Sequence, residues 1–144
     1  MPSFTLSAHA PTDVATTFDY VADSANTSQW FYGIKKFEPM TELRRGLGAT
    51  FETEVHMGAT LKSTVECTEY TENEIFTIES IKGIQNKSRW TFATRPDGGT
   101  DIAVEFSYHL GSGIAGAALS RLVEPFVAIT VKHTTNSLVA QLSR

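Results

Sequence analysis

The chain has 144 residues, 41% of them hydrophobic and 19% charged, with a net charge of −4. That length suits one domain spanning residues 1–144, with enough apolar content for a real core. The negative balance, with no basic run longer than Arg44–Arg45, argues against a nucleic-acid partner. The lone cysteine, Cys67, excludes an internal disulfide and fits a reducing compartment. No stretch approaches the roughly 20 apolar residues of a membrane span, so no integral membrane contact is expected. The opening MPSFTLSAHAP has neither the basic leader nor the apolar run of a signal peptide. A cytoplasmic protein of open oligomeric state is the expectation.

Residues 3–9 alternate, with Phe4, Leu6 and Ala8 on one face, which predicts a half-buried strand. Pro11-Thr12-Asp13 then breaks the chain, and Thr12 or Asp13 can cap a helix carrying Val14, Phe18 and Val21. The polar run Ser24–Gln29 predicts a second short helix delivering Trp30 and Phe31. From 34 to 110 the period is two, giving strands at 34–42, 49–57, 60–70, 74–81, 87–95 and 101–110. Turn residues separate them, and Asp97-Gly98-Gly99 is a strong hairpin signal because glycine accepts positive φ freely. Short connections of this kind favour an antiparallel meander. In the last 30 residues Leu119, Leu122, Val123, Phe126, Val127, Thr130, Val131, Thr134, Leu138 and Leu142 recur at helical spacing. Pro125 inside that run predicts a kink or a restart, since proline removes a helical hydrogen bond.

The strands sort polarity by face. One phase holds Phe51, Thr53, Val55; Leu61, Ser63, Val65, Cys67; Phe76, Ile78, Ser80; Ser88, Trp90, Phe92; and Ile102, Val104, Phe106, Tyr108. The opposite phase holds Glu52, Glu54, His56, Lys62, Glu66, Glu79, Lys87, Arg89, Asp101 and Glu105. Neighbours on a strand point to opposite faces, so the uncharged face needs a cover. The final helix is the large apolar cover available.

This order of elements resembles the START-like superfamily, also called SRPBCC or Bet v 1-like, and in particular its polyketide cyclase/dehydrase-type branch. The residues that carry the likeness are Ala10-Pro11, Asp23 ahead of Trp30, Gly46 and Gly48, Gly98-Gly99-Thr100, and Leu122 to Pro125. The resemblance implies an α+β helix-grip fold, with a curved antiparallel sheet of about seven strands wrapped around a long C-terminal helix. Two short helices would follow strand 1. It also implies a cavity between sheet and helix that takes lipids, polyketides or other apolar molecules.

Competing motifs fare poorly. Gly111-Ser112-Gly113-Ile114-Ala115-Gly116 has the G-x-G-x-x-G form, yet no second strand or acidic residue follows to complete a dinucleotide fold. Close packing at the start of the helix is the expected role. His9, His56, His109 and His133 include no i, i+4 pair and Cys67 has no nearby partner, so no metal and no cofactor are expected. Cys67 on the inner phase is read as a small core residue rather than a nucleophile. Glu66, Glu79 and Glu105 fall outside and are read as cross-strand partners of Lys62, Lys87 and Arg89.

The candidate ligand-binding lining is therefore Trp30, Phe51, Thr53, Val55, Ser63, Val65 and Ile78, continuing with Trp90, Phe92, Val104, Phe106 and Tyr108 from the later strands. Leu122, Phe126 and Thr130 would close it from the helix. Aromatic surface with a few neutral hydroxyls suits a small hydrophobic or aromatic partner. Catalytic residues are not assigned. A packed core would show the same residues, and Trp30, Phe31 and Tyr32 could gate the cavity or plug the core. Arg121 could meet a ligand carboxylate or stand solvated. Three functions stay open: a binding protein, a cyclase/aromatase or dehydratase using Tyr108 or a serine, and an interaction module that a large exposed apolar patch would favour.

Overall fold

A computed structural model of the chain describes residues 2–144. Strand β1 (Ser3–Ala10) leads to helix α1 (Val14–Ala22), a 3₁₀ turn at Ser24–Asn26 and the short helix α2 (Thr27–Trp30). Six strands follow: β2 (Ile34–Pro39), β3 (Thr50–His56), β4 (Thr60–Thr71), β5 (Ile75–Gly83), β6 (Gln85–Thr94) and β7 (Thr100–His109). Helix α3 (Gly113–Leu142) completes the fold. The strands form one antiparallel sheet in the order β1-β7-β6-β5-β4-β3-β2. It curls around α3 as a half-barrel, which is the helix-grip arrangement expected from the sequence.

Local chemistry sets the boundaries. Asp13 caps α1, its Oδ1 accepting from the Thr16 amide at 2.9 Å. Asp23 ends α1 and caps the next turn, accepting from the Ala25 amide at 3.0 Å while paired with Arg44 at 3.1 Å. On the outer face Glu79 lies opposite Lys87 as expected. Glu105 likewise lies opposite Arg89, although the Arg89 ion pair is with Glu69 at 3.2 Å, and Lys62 pairs with Glu54 at 3.8 Å instead of with Glu66. Glu69 reaches Arg89 because the β4–β5 register shifts between Cys67 and Glu69, a bulge that also turns Tyr70 inward against Phe18.

Helix α3 departs from expectation in two ways. It runs unbroken through Pro125, which sits on the solvent side, where the carbonyl left without its helical donor can be hydrated. Its buried side is also narrower than the apolar pattern suggested: Gly116, Val123, Thr130, Thr134, Leu138 and Leu142 are buried, whereas Leu122 and Phe126 are exposed. By length and composition α3 could cross a bilayer, contrary to the sequence reading, but its buried residues pack it as the core helix. The Gly111–Gly116 segment starts this helix tightly: a Cβ on Gly116 would overlap the Gly111 carbonyl.

Candidate ligand cavity

The strands have two ends. The β3–β4 turn (57–59), the β5–β6 turn at Ile84 and the β7–α3 connection lie at one; the β4–β5 and β6–β7 turns lie at the other. At the second end α1 presses Phe18 into the sheet, with ring centroids 5.0 Å from Phe92 and 5.9 Å from Phe76. Packing is closed there. Toward the first end the sheet and α3 diverge around a cavity of about 150 Å³.

Several predicted residues come together on its walls: Thr53 and Val55 from β3, Ser63 and Val65 from β4, Ile78 from β5, Phe106 and Tyr108 from β7, and Thr130 from α3. Trp30, Phe51 and Trp90 instead line a smaller inner cavity of about 60 Å³, shared with Ile78. Four predicted residues belong to neither wall. Phe92 and Val104 have the correct phase but are packed in the core, Phe92 under Phe18 and Val104 between its strand neighbours Leu6 and Trp90. Leu122 and Phe126 line neither cavity and are 55% and 43% exposed, with Phe126 resting against the β3–β4 turn at Gly58. With Ile114 and Ile129 they make an exposed apolar stripe on the first half of α3. Arg121 is exposed and lines no cavity.

The Trp30–Tyr32 segment divides between core and cavity, with Trp30 in the core and Phe31 lining both cavities. Trp30 is buried edge-on to Trp90 at 5.2 Å, Phe31 meets Phe106 edge-on at 6.4 Å, and Tyr32 lies outside, stacked on His133 at 4.6 Å. Thr134 on α3 accepts from the Tyr32 amide at 3.1 Å and so ties the segment to the helix. Two buried polar atoms have no partner, Trp30 Nε1 and Ser24 Oγ, and both residues line the inner cavity. At about 60 Å³ that space has room for an ordered water, which would satisfy them.

Asn86 is a cavity residue that the sequence reading missed. Its position continues the inward phase of Ser88 and Trp90, a signal hidden because the strand was expected to begin at 87. Its amide organises the polar part of the wall. Nδ2 donates to Ser63 Oγ at 3.1 Å and to the Ile84 carbonyl at 2.8 Å. Thr53 Oγ1 donates to the Ser63 carbonyl at 2.9 Å, so the 2.8 Å contact between the two hydroxyls is a bond from Ser63 to Thr53. The Asn86 amide orientation is fixed by Ile84, whose carbonyl can only accept.

Among the described residues no charged side chain lines the main cavity, and the one titratable group there is Tyr108, whose phenol is pushed above its usual range by burial and by the nearby Glu124 carboxylate. It is therefore a protonated donor at neutral pH and a poorer acid than a free phenol. Cys67 lies on the inner cavity, and burial pushes its thiol up, away from the thiolate a nucleophile needs. His56 and His109 are exposed. Among the described residues no three His, Cys, Asp or Glu side chains gather as a metal site.

The sequence pattern of the family described as polyketide cyclase/dehydrase and lipid transport matches residues 1–143. The chain belongs to that family. Among curated proteins none matches it in sequence. Solved structures share its fold across nearly the whole chain. A protein from Thermus thermophilus is 17% identical, covers 99% of this chain and 97% of its own, and superposes with a TM-score of 0.81. A START superfamily protein from Mycobacterium smegmatis is 14% identical with a TM-score of 0.76, covering 98% and 97%. The Zhui aromatase/cyclase from a Streptomyces species is 12% identical with a TM-score of 0.79, covering 99% and 94%. At these identities the likeness is one of fold.

Proposed function

We propose that this protein binds a small, mostly apolar molecule between its sheet and α3. The observation that carries this reading is the uncharged cavity of about 150 Å³, walled by aliphatic and aromatic side chains with a few fixed hydroxyls and one amide. Such a wall takes up apolar surface and uses its polar groups for orientation. Membership of a family described by cyclase/dehydrase activity and lipid transport agrees with a ligand in this place.

Cyclase or dehydratase chemistry ranks second. The fold shared with the Streptomyces aromatase/cyclase favours it. Against it, the cavity offers no carboxylate or histidine, and Tyr108 lacks a neighbour that would make it a base. The exposed stripe on α3 is the observation that favours an interaction surface. It does not compete for the cavity, because its side chains line neither cavity.

Native mass spectrometry of protein purified without added ligand tests the reading. The expected result is a discrete adduct that disappears on denaturation. An apo mass that persists after incubation with small aromatic and aliphatic compounds would overturn it.

A further inference from the structure

The cavity's size, charge and hydrogen-bonding pattern together narrow its ligand. A cavity of about 150 Å³ has the size of apolar cavities that hold a single benzene ring, and pockets for drug-sized molecules begin at about 300 Å³. A fused multi-ring compound or an acyl chain of lipid length would extend beyond this space. The walls carry no charge to compensate an ionised ligand, and burying an uncompensated charge is costly.

The polar groups add a direction. Both Asn86 amide hydrogens are used inside the wall, on Ser63 and Ile84. Among the described residues its Oδ1 has no hydrogen-bond partner and is not sealed from solvent, so it stands as an acceptor. Tyr108 lies directly across from Asn86 on the neighbouring strand, on the same face. Among the described residues its hydroxyl likewise has no hydrogen-bond partner. An amide oxygen that can only accept, with a phenol that can donate on the facing residue of the next strand, complements a neutral hydroxyl: the ligand's O–H donates to one and its oxygen accepts from the other.

We infer that the cavity selects a neutral, single-ring hydroxyl compound of phenol size, whose hydroxyl bridges Asn86 Oδ1 and the Tyr108 hydroxyl. This deepens the cavity-binding reading and rests on it. The Glu124 carboxylate near Tyr108 further disfavours an anionic ligand. Thr130 on α3 faces the same cavity from the helix side.

The test is an NMR titration of the ¹⁵N-labelled protein with phenol, toluene and benzoate, three probes sharing one ring. The wild type is expected to prefer phenol over toluene by about tenfold, the worth of one to two net hydrogen bonds, and to bind benzoate more weakly than either. Asn86→Leu should bring the phenol/toluene ratio toward one. Tyr108→Phe keeps the ring, leaves the Ser63–Asn86 network alone and should lower the same ratio. Toluene binding by each variant reports an intact cavity. Equal affinity of the wild type for phenol and toluene would overturn the hydroxyl preference while leaving the cavity reading standing. A ratio that survives both substitutions would overturn the assignment to Asn86 and Tyr108, and benzoate bound as tightly as phenol would overturn the neutral class. Failure of all three probes to bind would overturn the cavity reading itself.

Discussion

Closure of the cavity depends on the β3–β4 turn resting against α3, and Gly58 is where they touch. Gly58 has a φ of +71°, and a Cβ built on it would overlap the Leu122 carbonyl and stand 2.7 Å from Phe126 Cδ2. Gly58→Ala therefore meets two penalties. A left-handed conformation costs an L-residue about 1–2 kcal/mol. Overlap with helix backbone cannot be relieved by a rotamer change, and overpacking of this kind costs about 1–3 kcal/mol. The expected loss is about 2–5 kcal/mol. Gly98→Ala supplies the control, since Gly98 has a φ of +88° with nothing within 4 Å of the added Cβ. It should lose only the backbone part, about 1–2 kcal/mol. Urea unfolding of both variants, at a shared m-value, isolates the steric part as their difference. The turn in Gly58→Ala should also lift from α3 and speed ligand exchange. Equal losses in the two variants would refute the contact between turn and helix.

Phe92→Ala should destabilise the fold by about 3–5 kcal/mol, because its ring packs against Phe18 and Phe76 in the closed end. Ligand selectivity should be unchanged below the lowered melting temperature; loss of binding in folded protein would place Phe92 on the cavity after all. Tyr70 carries an alkaline signature: burial first, then its bond to Glu72, push its phenol up to about 12. The folded state thus favours the neutral phenol, and its contribution is complete below the unfolded value of about 10 and is lost as pH rises from there toward 12. Tyr70→Phe should flatten the decline of the urea midpoint over that window, and an unaltered slope would contradict the buried phenol.

Period-two alternation exposed the cavity walls because β3 and β4 keep a clean phase through Thr53, Val55, Ser63 and Val65. Alternation assigns a face but not whether that face is open or packed, so Phe92 and Val104 share the cavity's phase although Phe92 packs under Phe18 and Val104 between Leu6 and Trp90. Leu122 and Phe126 were misplaced for another reason. Helix α3 carries apolar residues on its outer side as well, with Ile114, Leu122, Phe126 and Ile129 exposed beside the polar Arg121 and Glu124, so the apolar stripe in the pattern is wider than the buried one. Asn86 was missed because asparagine is disfavoured in strands and the turn before it is only one residue long. The bulge at Cys67–Glu69 changes phase without a sequence mark, which hid the inward turn of Tyr70 and the Arg89–Glu69 pair.

Where a ligand sits is the question on which the binding reading turns. Intermolecular NOEs from bound toluene to assigned methyl groups locate it directly. Toluene in the main cavity should give NOEs to Val55, Val65, Ile78 and Val123, which form its walls. NOEs confined to Ile114, Leu122 and Ile129 on the exposed side of α3 would contradict this and place binding on the surface instead.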